Sequence, residues 1–154
     1  MGAGKSTVGR RLAERLGLPF VDTDDLLSER FGPIPAQFAD EGEAVFRARE
    51  AEIVTEIVAG PPVVAATGGG LWVDPKNRAR LREAFDLVVL DAPLDVLATR
   101  VGAGAGRPLW GDDVAARYAA RRPAYADADL RIDVSHKDPD TIVEEIVAWR
   151  NARR

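Results

Sequence analysis

The chain has 154 residues, enough for a single domain that buries a hydrophobic core. Its formal net charge of -4 argues against a protein that binds nucleic acid through bulk positive charge. Because cysteine is absent, disulfides, thiolate–metal sites and cysteine nucleophiles are excluded. No apolar run approaches the roughly 18 residues that span a bilayer, and no signal peptide precedes the first glycines. We therefore expect a cytoplasmic protein without a membrane partner.

Helix-like and strand-like segments alternate along the chain. The first helix carries an apolar stripe at Val8, Leu12 and Leu16 and ends at Gly17. A break is expected at residues 32–35, between the second and third helices. The second helix is predicted to end at about residue 30, and further helices are predicted at 46–58, 75–85, 93–101 and 112–121 and from 139 onward. Strands are predicted at 19–21, 62–67, 87–90 and 130–134. This order predicts one α/β domain over residues 1–154 with a parallel sheet.

The chain opens on a phosphate-binding pattern. Its first seven residues, Met-Gly-Ala-Gly-Lys-Ser-Thr, match the last part of G-x-x-x-x-G-K-[S/T]. In that pattern the glycines let backbone amides surround phosphate oxygens, Lys5 reaches the β- and γ-phosphates, and Ser6 binds Mg²⁺. The alternative is a chance Gly-Lys-Ser at the start of a helix. The first glycine of the pattern and its strand would precede Met1, which suggests a start codon assigned too late.

Two carboxylates follow the first strand, in Asp22-Thr23-Asp24. A Mg²⁺ ion held by a serine and phosphates favours a nearby carboxylate, often through water. A second carboxylate can accept the proton of an attacking hydroxyl. The alternative is a helix N-cap, which we prefer for Asp25, whereas we favour a functional role for Asp22 and Asp24.

Three glycines, Gly68, Gly69 and Gly70, follow the second strand directly. Without Cβ atoms they permit close approach of a ligand to the backbone, although a tight turn is the alternative. Arg107 ends a glycine-rich segment, as expected of a mobile arginine that stabilises phosphoryl transfer. Arg121 ends a predicted helix, where the helix dipole also favours a cation. Together these residues predict a Mg-ATP-dependent transferase with a small anionic acceptor.

The order of these motifs resembles the shikimate kinase family. The resemblance rests on Gly-Ala-Gly-Lys-Ser-Thr, Asp-Thr-Asp, Gly42-Glu43 with Phe46-Arg47 and Glu50, Thr-Gly-Gly-Gly, Arg107-Pro108-Leu109 and Arg121-x-Pro-x-Tyr125, and covers nearly the whole chain. It implies the three-layer α/β/α fold of P-loop kinases, with a five-stranded parallel sheet, an acceptor-binding region at about 23–60 and a mobile lid at about 102–117. The first family strand is missing here. No motif indicates an obligate dimer, and we expect a monomer.

The resemblance also implies roles for individual residues. Asp24 would be the base for the shikimate 3-hydroxyl, with Lys5 and Arg107 acting on the phosphates. ATP would be bound by Gly2, Ala3, Gly4, Lys5, Ser6, Thr7, Arg100, Arg107 and Pro139, with Arg100 and Pro139 flanking the adenine. Shikimate would be bound by Asp24, Phe38, Phe46, Arg47, Gly68, Gly69, Gly70 and Arg121, and Mg²⁺ by Ser6 and Asp22.

Three departures from the family pattern carry expectations of their own. Loss of about five buried apolar residues in the first strand forfeits roughly 1.5–3 kcal/mol each, so the chain is predicted to fold poorly. The stretch between Arg107 and Arg121 is short, which predicts a lid that closes differently. Leu71-Trp72 stands where smaller residues are usual, which predicts an altered acceptor pocket. Two alternatives remain: another small-molecule P-loop kinase, such as a gluconate kinase, and a nucleotide-binding module without catalysis.

Overall fold

The computed structural model of the protein describes residues 3–102 and 113–153. The predicted alternation of strands and helices is confirmed. The helices are α1 (Lys5–Leu16), α2 (Thr23–Phe31), α3 (Ile34–Ala59), α4 (Pro75–Ala84), α5 (Leu94–Gly102), α6 (Asp113–Tyr125) and α7 (Pro139–Ala152). The strands are β1 (Phe20–Asp22), β2 (Val64–Ala66), β3 (Val88–Asp91) and β4 (Leu130–Asp133).

The strands form two parallel pairs. β1 pairs with β2, with Phe20 opposite Val64 and Asp22 opposite Ala66. β3 pairs with β4 from Val88 opposite Leu130 onward. Because parallel neighbours end at the same edge, the residues that follow β1 and β2 lie beside each other. This pairing places the Asp22-Thr23-Asp24 and Gly68–Gly70 segments together.

The chain divides into two compact units. One contains Met1–Arg11 and Leu87–Arg154, with β3 and β4, and the other contains Leu12–Asp86, with β1 and β2. The second unit buries a core that includes Leu27, Ile53, Val54, Leu71 and Trp72. In the first unit the buried residues of α7 recur at helical spacing, at Ile142, Val143, Ile146 and Val147.

Helix α3 is bent sharply at Gly42, whose φ of 84° and ψ of 169° are not helical. In a straight helix, residues eight apart are about 12 Å apart along the axis. Here Arg49 donates hydrogen bonds to Glu41, eight residues earlier, and to Gln37, twelve residues earlier. The segment before Gly42 therefore folds back along the segment after it.

The predicted break at residues 32–35 is too long. Pro33 is the N-cap of α3, and the helix begins at Ile34. Pro35 falls in the first turn, where a missing amide hydrogen costs no helical hydrogen bond. A run of prolines does not by itself distinguish a helix break from a first helical turn, which accepts proline.

Among the described residues, none of the helices combines the length and the apolar character that crossing a membrane requires.

Candidate active site

The start of α1 carries the phosphate-binding pattern. Gly4 has a φ of 80°, in the left-handed region that favours glycine, and its carbonyl accepts a hydrogen bond from the Val8 amide at 2.9 Å. Lys5, Ser6 and Thr7 consequently lie in the first turn of the helix. The first turn directs backbone amides and the positive end of the helix dipole toward an anion. Ala3 and Gly4 precede this turn, and Gly2 lies outside the described residues.

Asp22 ends β1 and caps α2. Its extended backbone places the side-chain Oδ1 within 3.0 Å of the Asp24 amide, which donates to it. The N-cap expected at Asp25 was wrong, because the helix begins at Thr23 and the cap is the residue just before it. Asp24 and Asp25 both occupy the first turn, and both are exposed. The cap interaction of Asp22 is made through its Oδ1, and its role in metal binding stays a prediction.

Thr23 connects the Asp22-Thr23-Asp24 motif to the Gly68–Gly70 segment. It is fully buried, and its hydroxyl oxygen accepts a hydrogen bond from the Gly68 amide at 3.0 Å. This contact spans 45 residues of sequence and joins the start of α2 to the glycine segment. The local pattern points to the two aspartates on either side rather than to Thr23. The signal for Thr23 is its place directly after β1, because residues that follow paired parallel strands lie beside each other.

Gly68 and Gly70 each make room for one polar side chain. A Cβ atom on Gly68 would lie 2.5 Å from Oδ1 of Asp24. A Cβ atom on Gly70 would lie 2.5 Å from Nη1 of Arg47. Since real Cβ atoms do not approach so closely, both positions require glycine for these side-chain placements. The glycine segment thus has a carboxylate against one end and a guanidinium against the other.

Arg47 is held by two carboxylates. Its Nη1 donates to Oε2 of Glu50 at 2.7 Å, and its Nη2 donates to Oε1 of Glu43 at 3.0 Å. Burial alone would lower the pKa of the Arg47 guanidinium, but its hydrogen bonds and charge interactions with Glu50 and Glu43 outweigh burial and raise that pKa. Arg47 therefore remains a cation that can bind an anionic ligand.

The aromatic residues predicted for the acceptor site lie together. The rings of Phe38 and Phe46 are tilted against each other with centroids 4.4 Å apart. Phe46 is buried, whereas Phe38 is partly exposed, and the Arg47 guanidinium lies 5.6 Å from the centre of the Phe46 ring. Eight residues separate the two phenylalanines, so the bend at Gly42 is what brings them into contact.

Arg49 has a structural environment that the sequence did not show. It donates hydrogen bonds to Glu41 and Gln37, and its guanidinium lies 4.3 Å from the centre of the Phe31 ring. The Gln37 amide donates to the carbonyls of Leu27 and Gly32 at 3.2 and 2.7 Å. These contacts connect the folded-back part of α3 to α2, so Arg49 stabilises the region around the acceptor residues.

In the unit that contains β3 and β4, Arg100 reaches the segment before Pro139. Its Nη2 donates to the carbonyls of Val134 and Ser135, at 2.6 and 3.1 Å. Pro139 begins α7, which is capped by Asp138. The two residues expected to flank the adenine are therefore associated with the same loop.

Arg121 lies in α6, four residues before its end, and its positive charge acts on the Tyr125 hydroxyl. Burial raises the pKa of Tyr125, and Arg121 partly opposes that shift. The helix-terminal role considered for Arg121 fits Arg122 better, because Arg122 is the basic residue of the last turn. Arg107 lies outside the described residues, as does most of the predicted lid at 102–117.

Metal binding at this site depends on which of the described residues could act as ligands. The described residues contain no group of three or more acidic, histidine or cysteine side chains that could hold a metal alone. Mg²⁺ usually keeps several waters and binds one or two protein carboxylates together with substrate phosphates. The assignment of Mg²⁺ to Ser6, in the first turn of α1, and to Asp22, at the end of β1, stays a prediction.

A glycine turn that leads into a helix, together with acidic and glycine-rich segments at the ends of parallel strands, defines a P-loop kinase of the α/β class. Comparison with known proteins then specifies the family. Residues 1–151 match the model of the family described as shikimate kinase. The chain belongs to the shikimate kinase family.

The individual relatives agree with the family. A shikimate kinase from Geobacter sulfurreducens is 44% identical over 155 residues, which cover 97% of this chain and 86% of the relative. The structure of a shikimate kinase from Acinetobacter baumannii in complex with shikimate is similar with a TM-score of 0.91 and 32% identity, covering 100% of this chain and 90% of that one. The predicted family, fold class and enzyme class are confirmed.

The alternative acceptor class is less similar in structure. A gluconokinase from Sinorhizobium meliloti is similar with a TM-score of 0.71 and 25% identity, covering 96% of this chain and 85% of that one. This TM-score and this identity are both lower than those of the Acinetobacter baumannii shikimate kinase. The comparison therefore favours the shikimate kinases over the gluconate-kinase-like alternative.

Proposed function

We propose that this protein transfers the γ-phosphoryl group of ATP to the 3-hydroxyl of shikimate. The observation that carries this proposal is the glycine segment, with Asp24 packed at Gly68 and Arg47 packed at Gly70. A carboxylate suits an acceptor hydroxyl, and a guanidinium suits an acceptor carboxylate. Shikimate carries both groups on one small ring, and Phe38 and Phe46 supply apolar surface for such a ring.

The transfer makes one bond and breaks one. The acceptor oxygen bonds to the γ-phosphorus, the bond from that phosphorus to the β–γ bridging oxygen breaks, and ADP leaves. Asp24 accepts the proton of the acceptor hydroxyl, and its position depends on the space left by Gly68. Arg47 and Arg121 bind the acceptor carboxylate, while Gly69 contributes to the backbone beside the ring.

ATP binding is assigned to the other group of candidate residues. The amides of Gly2 to Thr7 surround the phosphates, Lys5 and Arg107 offset their charge, and Arg100 and Pro139 flank the adenine. The helical position of Lys5, Ser6 and Thr7 supports this assignment, as does the contact of Arg100 with the segment before Pro139. These roles remain predictions for each residue.

Mg²⁺ completes the proposal, with Ser6 and Asp22 as the residues that hold it. When bound, the ion offsets the negative charge that the phosphates carry during transfer. We also propose that the protein acts in the cytoplasm, which supplies ATP, and that it acts as a monomer.

The proposal is tested by shikimate-dependent release of ADP from Mg-ATP. We expect release with shikimate and not with gluconate. Asp24→Asn should lower kcat by about a hundred-fold or more, the usual contribution of general base catalysis. Asp25→Asn is the matched control, because Asp25 is the exposed neighbour in the same helical turn and the charge change is identical.

Equal activity of Asp24→Asn and Asp25→Asn would contradict the base role of Asp24. Release with gluconate and not with shikimate would overturn the acceptor assignment. Binding of Mg-ATP without release on any acceptor would support the non-catalytic alternative.

A further inference from the structure

The two carboxylates on Arg47 differ in burial. The Glu50 side chain is 3% exposed, whereas that of Glu43 is 68% exposed. Oε2 of Glu50 accepts from Nη1 of Arg47, at 2.7 Å. One oxygen of Glu43 accepts from both Nε and Nη2, at 3.3 and 3.0 Å. Glu50 is thus a fixed partner of the guanidinium, and Glu43 is a partner that solvent surrounds.

The two partners also occupy different edges of the guanidinium. The Nη1 side is taken by Glu50 and lies against the backbone of Gly70. The edge formed by Nε and Nη2 remains, and it offers the parallel pair of donors that a carboxylate binds with two hydrogen bonds. Glu43 now takes up that edge with a single oxygen. An acceptor carboxylate and Glu43 cannot both bind there.

We propose that the Glu43 carboxylate occupies the binding position of the acceptor carboxylate on Arg47 and is displaced when the acceptor binds. In the free protein it holds the guanidinium in position, and on binding the acceptor replaces it on the Nε–Nη2 edge. The inference rests on the proposed function, because it requires an acceptor carboxylate at Arg47. Glu43 then weakens acceptor affinity by competition and leaves the rate of transfer unchanged.

The test is Glu43→Gln, which keeps the length of the side chain and removes its charge. Since exposed ion pairs contribute modestly, we expect the Kd for shikimate to fall about two- to five-fold, measured by calorimetry. Binding of the methyl ester of shikimate should not change in this way, because the ester cannot form the ion pair with Arg47. The kcat for ADP release should remain that of the wild type.

The matched control is Glu52→Gln, on the same helix. Glu52 is exposed, and its charge interacts with Arg30 rather than Arg47. This variant has the same net charge as Glu43→Gln and should bind shikimate as the wild type does. A crystal structure of the wild-type complex should show Glu43 beyond hydrogen-bond distance of Arg47.

The other outcomes of these experiments distinguish failure of the inference from failure of the proposed function. Weaker or unchanged shikimate binding in Glu43→Gln would overturn the inference alone and make Glu43 a residue that positions Arg47. A retained Glu43–Arg47 contact in the complex would also overturn it, as would equal strengthening for the ester or in Glu52→Gln. A wild-type protein that neither binds shikimate nor releases ADP with it would remove the proposed function and the inference together.

Discussion

Two side chains of the acceptor site can occupy their positions only because the residues beside them are glycines, which have no Cβ atom. Gly68 leaves room for the Asp24 carboxylate, and Gly70 leaves room for the Arg47 guanidinium. In both cases the nearest atom is the far end of a side chain, which can move if a Cβ is added. Substitution at either glycine should therefore displace a functional group and leave most of the fold intact.

Gly68→Ala and Gly70→Ala should affect different kinetic constants. Gly70→Ala displaces Arg47, so KM for shikimate should rise about ten- to a hundred-fold, the equivalent of roughly 1.5–3 kcal/mol for a hydrogen bond to a charged group. Gly68→Ala displaces Asp24, so kcat should fall by about ten-fold or more. Steady-state kinetics with varied shikimate measures both, and each variant is the control for the other. An identical change in both variants would contradict separate roles.

Among the elements of the fold, helix α3 contributes most to the acceptor site. Its bend at Gly42 brings Phe38 onto Phe46 and brings Arg49 to Glu41 and Gln37. At a φ of 84° and a ψ of 169°, the backbone occupies a region that is open essentially to glycine alone. The bend therefore depends on the identity of residue 42.

Gly42→Ala should lower the free energy of unfolding by about 1–3 kcal/mol, the usual cost of such a backbone conformation. It should also raise KM for shikimate, because the first segment of α3 can no longer fold back over Phe46. Urea denaturation and steady-state kinetics measure the two effects. Ala48→Gly, at an exposed position later in α3, should cost about 1 kcal/mol without changing KM. If both variants raise KM equally, the bend is not required for binding.

At the level of the whole molecule, the candidate residues divide between the two compact units. Lys5, Ser6, Arg100 and Pro139 belong to the unit with β3 and β4, and Asp24, Arg47 and the glycine segment belong to the unit with β1 and β2. Arg121 is the exception among the acceptor residues, since it lies in the first of these units. The two ligands should accordingly protect different parts of the chain.

Hydrogen–deuterium exchange with one ligand at a time tests this division. Shikimate alone should slow exchange at residues 64–73 and 34–50, and Mg-ATP alone should slow exchange at residues 4–8 and 133–139. At a ligand concentration of about a hundred times Kd, binding stabilises the folded state by roughly 2.7 kcal/mol, which is enough to be measured as a rise in Tm. Protection near Arg121 by shikimate would support its role in acceptor binding. Protection by shikimate confined to residues 133–139 would contradict the assignment.

Local patterns in the sequence were sufficient to predict the helices and strands and the kinase class of the protein. The apolar stripe of α1, the Asp138-Pro139 start of α7 and the four strands depend on neighbouring residues only, and they were predicted correctly. The wrong predictions concern which of several adjacent residues caps or begins a helix. The N-cap proved to be Asp22 rather than Asp25, and Pro35 lies inside a helix rather than in a break. The predictions about a missing first strand and poor folding stay predictions.

The sequence by itself determined the family, the α/β class and the set of motifs, because each motif needs particular residue types at fixed short spacings. Tertiary structure alone decided which of these residues meet. It joined Thr23 to Gly68 across 45 residues, placed Gly70 against Arg47, and gave Arg47 one buried and one exposed carboxylate. Such contacts depend on how β1 pairs with β2 and on the bend at Gly42. Neither is visible in local composition, because both follow from packing between segments that are distant in the chain.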